Sequence, residues 1–270
     1  MKIAAIVVIY EPSNEEMEAI INKLSLFDKI IVYDNSKTNH NNFFNGFEKC
    51  LYEYNGENDG LAVAYNFALR YCNENKYEWL FILDQDSSID NNNTSILLSA
   101  LNKVKGNIGI VCPYIKYNES DPLPGKNTEF IEWTINSGSV LNVQLLSLNN
   151  IKYDENYFLD RLDRDFCMQL TRAGLKIVRI NKAILNQQLG ENVNGRYLHS
   201  PLRNYYMARN RLYYNHKFYK LPKRTVYNLL QTIKHINGCI LGNMDVKKNV
   251  KMIFEGIQDY RKGKLKKKEL

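Results

Sequence analysis

The sequence predicts an α/β protein: a mostly parallel central sheet flanked by helices, followed by a C-terminal helical extension. Three observations predict it. Through residue 112, short apolar runs alternate with amphipathic stretches, the rhythm of a parallel sheet covered on both faces. The early apolar runs stop at polar turns rich in Asp and Asn, where sheets of this class bind ligands. From about residue 199 the alternation gives way to basic, Tyr-rich helical sequence.

Ile3–Tyr10 reads as a buried strand, and Ser13-Asn-Glu-Glu16 as a capping box that opens a helix reaching about Leu26. Lys29–Tyr33 is the second strand, ending in Asp34-Asn35-Ser36, and Cys50–Tyr54 the third, ending in Asn55-Gly56. Gly60–Cys72 places Leu61, Ala64, Ala68 and Leu69 along one helical face. Trp79–Leu83 is a fourth strand, stopping at Asp84-Gln85-Asp86; a helix near Thr94–Val104 and a fifth strand, Ile108–Cys112, follow. A loop rich in proline leads to a strand at Glu129–Ile135 and a small-residue turn at Asn136–Ser139. Asp163–Ala173 is a helix stopped by Gly174, with Leu175–Ile180 a strand after it. Three helices, near 199–218, 223–241 and 245–262, complete the chain, so a catalytic domain is expected over 1–198 and a basic helical region over 199–270.

Composition narrows the function classes. At 270 residues and 44% hydrophobic, the chain has too much apolar sequence for disorder. Its net charge of +7 conceals a division: from Arg203 onward there are 17 basic and 4 acidic residues, against 19 basic and 25 acidic before it. No run approaches the roughly 20 apolar residues of a spanning helix. Lys2 and the run after it imitate a secretory signal, but Glu11-Pro12 follow without a small-residue cleavage site, so a cytoplasmic protein is expected. The five cysteines are odd in number, widely scattered and never in C-x-x-C spacing, which suggests neither a disulfide framework nor a zinc site but reduced core thiols. No nucleic-acid motif accompanies the basic tail, so nucleic acid is not an expected partner.

The strongest local signal is Asp84-Gln85-Asp86 after the apolar strand Trp79–Leu83. Two carboxylates at i and i+2 on a ligand-binding rim can share one divalent cation, and that cation can neutralise a diphosphate; the plain alternative is a strand-ending turn. Asp34 either accepts the N3–H of a pyrimidine base or ends its strand as a turn former. Asn58-Asp59-Gly60 forms a tight turn into a helix N-terminus, suited to a sugar nucleotide and equally to simple capping. Asp160, Asp163 and Asp165 alternate with Arg161 and Arg164, as a proton-accepting cluster or as a solvated helix face. Arg203, Tyr206 and Asn210 fall on one helical face with Arg209 beside it, where Arg forks could hold phosphate or an acceptor sugar. There is no P-loop and no dinucleotide-binding G-x-G-x-x-G.

Taken in order, Ile6-Val-Val-Ile-Tyr10, Val32–Ser36, Asn58–Gly60 with Asn66, Asp84–Asp86, Ser137-Gly138, Phe158–Phe166 and Arg203–Asn210 resemble the inverting family 2 glycosyltransferases, and most of all their rhamnosyltransferase-type branch. The resemblance spans roughly residues 3 to 215. It implies the nucleotide-diphospho-sugar transferase fold called GT-A and Mn²⁺ or Mg²⁺ as cofactor. It also implies a dTDP- or UDP-sugar donor and a glycan or lipid-linked oligosaccharide acceptor in surface or capsular polysaccharide synthesis. Residue by residue, Tyr10, Asp34, Asn58, Gly60, Asn66 and Asp84 would hold the donor, Asp86 would ligate the metal, and Asp163 would be the general base. Asp160, Asp165, His199, Arg203 and Arg209 would serve acceptor or phosphate, with Asp165 in support. Many relatives place a metal-binding His before a Leu-Gly pair; here Gln187 stands in its place, a neutral and weaker oxygen donor.

The expected activity is therefore transfer of L-rhamnose from dTDP-rhamnose with inversion. UDP-glucose or UDP-galactose transfer and a catalytically silent sugar-nucleotide or glycan-binding module are the alternatives. A nucleotidylyltransferase would want a Gly-rich, Arg-bearing loop after the first strand, which Tyr10-Glu-Pro-Ser13 does not supply. Lysine clusters at 220–224, 247–248 and 264–268 suggest peripheral contact with the inner face of a membrane, with an oligomer contact as the alternative for the apolar residues Leu229, Leu230, Ile233, Ile236, Ile240 and Leu241.

Overall fold

A computed structural model describes residues 1–85, 89–117, 121–122, 124–187, 192–193, 196–197, 199–242 and 245–269. The chain divides into two compact units. One comprises Met1–Tyr153 and Phe166–Gln187; the other comprises Asp154–Asp165 and Gln188–Leu270. The C-terminal helices thus take with them a twelve-residue segment from the middle of the chain, which the expected boundary at 198 assigned to the catalytic domain.

The first unit is a sheet covered by helices. β1 (Ile3–Ile9) is buried along nearly its whole length, as its unbroken apolar run requires of a central parallel strand. α1 (Asn14–Ile21) opens on the expected capping box, with Ser13 and Glu16 bonding reciprocally, but stops five residues early and yields to a 3₁₀ turn at Leu24–Leu26. β2 (Lys29–Asp34), a single helical turn α2 (Asn41–Phe44), β3 (Cys50–Tyr54), α3 (Leu61–Glu74) and β4 (Trp79–Asp84) follow. α4 (Asn91–Leu101) begins three residues before the expected Thr94 because the Asp90 side chain caps it, accepting from Asn93 N. Next come β5 (Ile108–Lys116), β6 (Thr128–Ile131), β7 (Val140–Asn142), α5 (Val143–Leu148), α6 (Leu162–Arg172), whose first four residues belong to the second unit, and β8 (Lys176–Asn186).

The eight strands run in the order β3-β2-β1-β4-β7-β5-β8-β6. β1 pairs parallel with β2 and β4, β2 with β3, and β5 with β8; β7 enters antiparallel between β4 and β5, and β6 lies antiparallel at the edge. The expected turn at 136–139 is locked onto β4, Gly138 N donating to Ile82 O and Ile82 N to Ser139 O. The core is the apolar content of these strands, from Ile3 through Phe81 to Leu185, with Met17, Phe27 and Leu97 packed on it. Burial pushes the Cys72 and Cys112 thiols up to about 12, as inert core sulfurs.

The second unit holds the short antiparallel pair β9 (Asn192–Val193) and β10 (Arg196–Tyr197), then α7 (Pro201–Phe218), α8 (Lys223–Leu241) and α9 (Val246–Arg261). Ser200 caps α7 and Asp245 caps α9. α7 is buried on nearly every side, which explains its weak amphipathicity. Where α7 and α9 cross, Gly256 brings the helices so close that a Cβ there would lie 2.5 Å from Tyr205 O. Among the described residues, no helix is long and apolar enough to cross a membrane.

Candidate active site

In the first unit, the carboxyl ends of β1, β2 and β4 lie side by side, with Ile9 opposite Asp34 and Val8 opposite Asp84. Register alone therefore brings Tyr10, Asp34 and Asp84 to one rim. Asp84 is half-buried and lines a cavity of about 310 Å³ with Val8, Glu16, Leu61, Tyr65, Leu83 and Gln85. Gln85, which the sequence did not single out, ties the rim together: its Oε1 accepts from Tyr10 N at 2.7 Å and its Nε2 donates to Glu16 Oε2 at 2.9 Å. Glu16 is itself the second half of the capping box, so a helix-start motif also shapes the cavity wall. The Tyr10 side chain is exposed.

Asp34 is completely buried. Its Oδ2 accepts from Tyr52 Oη at 2.5 Å and bonds His40 Nδ1 at 2.8 Å, while Oδ1 accepts from Ser36 N at 2.8 Å. Burial alone would raise this carboxyl, but the hydrogen bonds from Ser36, Tyr52 and His40 outweigh it and hold the pKa below the ordinary aspartate value. Asp34 stays ionised and organises the loop after β2. For it to read a base edge directly, one of these donors would have to give way. His40 and Tyr52 were missed from sequence; the six-residue spacing from Asp34 to His40 is the one local hint, since Tyr52 arrives only through strand pairing.

The turn before α3 is built as its residues dictate. Asn58 Oδ1 accepts from Gly60 N at 3.0 Å, and Gly60 holds φ +82, a left-handed conformation that glycine adopts freely. Asp59 accepts from Tyr33 Oη at 2.8 Å and from Asn55 Nδ2, and its own N–H donates to Asn35 Oδ1 at 3.1 Å. Asn66, one turn into α3, clips the backbone of Tyr153 with two bonds of 2.9 Å, one donated and one accepted. Tyr153 in turn stacks on Phe166 with ring centroids 4.0 Å apart. The structure thus gives Asn66 a bracing contact, a consequence of tertiary packing that no local pattern foretells.

Asp86 lies outside the described residues, and Gln187, half-buried, is fixed through its backbone N–H to Lys116 O at 2.9 Å. Among the described residues no group of three or more His, Cys, Asp or Glu side chains gathers as a preformed cage. The Asp84 carboxylate and the Gln187 amide are oxygen donors, the ligand type a hard divalent cation takes.

The second unit carries the Asp/Arg cluster. The first bond of α6, Asp165 N to Arg161 O at 2.9 Å, makes Arg161 the capping residue. Asp160 and Arg161 both adopt positive φ, +58 and +69, a strained pair that the surroundings must hold. Asn210 Nδ2 does so by donating to the carbonyls of Leu159 and Asp160. Arg203 Nη2 lies 3.3 Å from Asp160 Oδ1, while Asp160 Oδ2 is buried without a hydrogen-bond partner among the described residues. Asp163, in the first turn of α6, accepts from Arg164 N at 2.8 Å. Burial raises its pKa, and the Arg164 N–H and guanidinium offset only part of that rise. A carboxyl so placed is a stronger base, once ionised, than an exposed one.

The remaining expected residues separate into exposed and braced. Asp165 is completely buried, its oxygens 2.9 and 2.8 Å from Lys217 Nζ, which also reaches Asp154 Oδ2 at 2.8 Å. Lys217 was not foreseen, because the pairing crosses about fifty residues of chain. Arg209 is 1% exposed and sandwiched against the Tyr205 and Tyr206 rings, with centroids 5.4 and 5.0 Å away. Arg203 is half-exposed. His199 is half-buried, and burial followed by the charge of Arg203 lowers its pKa.

A mostly parallel sheet with acidic turns on its carboxyl rim, with an acidic helix start later in the chain, defines a class: α/β enzymes that bind their ligands beyond the strand ends. The chain belongs to that class through the family model for glycosyl transferase family 2, which matches residues 14–175. It is a glycosyltransferase of family 2. It is 26% identical over 234 aligned residues to the dTDP-rhamnosyl transferase RfbF of Shigella flexneri, covering 77% of this chain and 78% of that one. In fold it is similar to S. aureus TarS 1-349 in complex with UDP-GlcNAc (TM-score 0.57, 15% identity, 97% of this chain and 92% of that one). GalNAc-T7 with UDP, GalNAc and Mn²⁺ is likewise similar (TM-score 0.63, 11% identity, 97% and 56%). The expected GT-A fold is thereby established.

Proposed function

We propose that the chain transfers L-rhamnose from dTDP-rhamnose to a glycan hydroxyl, with inversion and with the help of Mn²⁺ or Mg²⁺. The observation that carries the chemistry is the Asp163 carboxyl, half-buried at a helix start and raised in pKa. The choice of donor is supported by the likeness to a dTDP-rhamnosyl transferase.

In this reading Asp163 takes the proton of the acceptor hydroxyl as its oxygen attacks the anomeric carbon. The bond from that carbon to the diphosphate breaks on the opposite face, and the nucleoside diphosphate leaves with the electron pair. One displacement inverts the centre, and no sugar is bonded to the protein. Asp86 and Gln187 would hold the cation, whose positive charge would support the leaving diphosphate, and Asp84 would hold the donor beside it. The Asp34, Asn58 and Gly60 turns shape the donor side, while Asp160 and Arg203 offer charged hydrogen-bonding groups to the acceptor. Asp165 acts in support through Lys217.

The test is transfer assayed with dTDP-rhamnose and with UDP-glucose or UDP-galactose, for the wild type and for Asp163→Asn. Turnover with dTDP-rhamnose that falls by about 10²-fold or more in the variant is expected. Preference for a UDP-hexose would reassign the donor, and unchanged turnover in Asp163→Asn would remove the base. Activity indifferent to EDTA and to added Mn²⁺ would remove the cation.

A further inference from the structure

The structure gives α8 two unlike faces. Toward α7 and α9 it is anchored by polar bonds and a small apolar cluster. Arg211 Nη2 donates to Thr232 Oγ1 at 3.1 Å and Asn215 Nδ2 to Asn228 Oδ1 at 2.8 Å, while Ile236 and Cys239 pack with Ala208 and Ile253. Ile236 therefore belongs to the core of the second unit. The other face carries Val226, Leu229, Leu230, Ile233, Ile240 and Leu241, each between 48% and 61% exposed. At 100° per residue these six fall in a stripe roughly 120° wide that runs the length of the helix. Leu221, 63% exposed, continues it past the N-terminus. Exposed Asn237 interrupts it between Ile233 and Ile240. Isolated apolar residues on a surface are ordinary, but six along one helix face mark a contact.

We propose that this face of α8 docks on an anionic lipid surface, lying in the interface with its apolar stripe among the acyl chains. The charges choose the occupant. Exposed Lys223 and Lys234 lie along one edge of the stripe, Lys220 precedes it, and from residue 218 to 244 the chain has no Asp or Glu. In a two-fold contact with a second copy the stripe would face itself, bringing these cations together with no carboxylate on either helix to answer them. An apolar stripe edged by ammonium groups instead matches acyl chains edged by phosphate. The inference stands whether or not the donor is dTDP-rhamnose. It narrows the membrane contact from a generally basic tail to one helix face, lying on the bilayer without crossing it.

Co-sedimentation of the full chain with phosphatidylcholine vesicles, with and without phosphatidylglycerol, tests it. Binding is expected only with phosphatidylglycerol, weakened about tenfold or more by Leu230→Ser with Ile233→Ser, and similarly by Lys223→Glu with Lys234→Glu. All four side chains are exposed, and the one internal contact removed is that of Lys223 Nζ with the Tyr219 and Tyr227 rings, 5.0 and 5.2 Å away, so circular dichroism should match the wild type and the melting temperature should move little, which separates lost docking from lost folding. Equal binding of both variants, or equal binding to both vesicles, would overturn the proposal. So would a stable dimer in light scattering that the Ser variant dissociates while vesicle binding is unchanged, since the stripe would then belong to a second copy.

Discussion

Lys217→Met is the sharpest test of how the second unit is held. The side chains are of similar length, so the substitution removes one positive charge and little volume. Asp165 is wholly buried with both oxygens within 2.9 Å of the ammonium, and Asp154 shares it at 2.8 Å. Asp154 keeps bonds from Tyr213 Oη and Asn156 N, but loses its counter-charge. Breaking a buried pair from one side typically costs about 3–5 kcal/mol, and here two carboxylates are left facing each other. We therefore expect a loss of about 3 kcal/mol or more at pH 7, read from urea unfolding followed by circular dichroism. Asp165→Asn combined with Lys217→Met should recover part of it, because a neutral amide replaces a buried carboxylate that has lost its counter-charge. The pH dependence has a definite sign. In the wild type, burial pushes the Asp154 carboxyl up but the Lys217, Asn156 and Tyr213 contacts bring it below the ordinary value, so its contribution is present above that value and lost as pH falls through the lowered one. In the variant, protonating a carboxylate relieves the repulsion, so the gap to the wild type should narrow from pH 7 toward pH 4. A loss under about 1 kcal/mol, or a gap that does not change with pH, would refute the reasoning.

Other expectations follow from single contacts. Gly256→Ala would force a methyl to within 2.5 Å of Tyr205 O, a backbone atom that cannot step aside, and should cost about 1–3 kcal/mol in chemical unfolding. His235 is held neutral, Nε2 donating to Asn204 Oδ1, and burial with the charge of Arg211 lowers its pKa from 6.5 to about 4. Stability present above pH 6.5 should thus decline toward pH 4 by about 1–2 kcal/mol after discounting for residual solvent, and His235→Gln should flatten that segment of the curve. If Asp163 is the base proposed above, it acts only when ionised, and because burial raises its pKa the acid limb of kcat/KM should lie above the ordinary aspartate range; a limb at or below that range would contradict the assignment.

The first half of the fold was readable because its strands are unbroken Ile/Val/Leu runs and its helix starts carry their own caps. β3 matches its expected bounds and α1 its expected start. The antiparallel insertion was not readable: β7 is three residues long, and only its partners β4 and β5, some thirty to sixty residues away, make Val140–Asn142 a strand. The candidate site divides the same way. Asp34, Asp84 and Asp163 were visible as carboxylates at strand ends and a helix start. Gln85, His40, Tyr52 and Lys217 were not, because each acts on a residue that pairing or packing supplies.

Sequence alone determined the chemistry available: acidic turns on a parallel sheet, an Asp/Arg helix start and a basic helical end, all set by local patterning. Only the tertiary structure decided what each group does. It buried Asp34 and Asp165 under donors, spent Asn66 on Tyr153, raised Asp163 by desolvation, and left one face of α8 bare. The reason is that a side chain's type is written at its own position, whereas its burial and its partners are set by residues far along the chain.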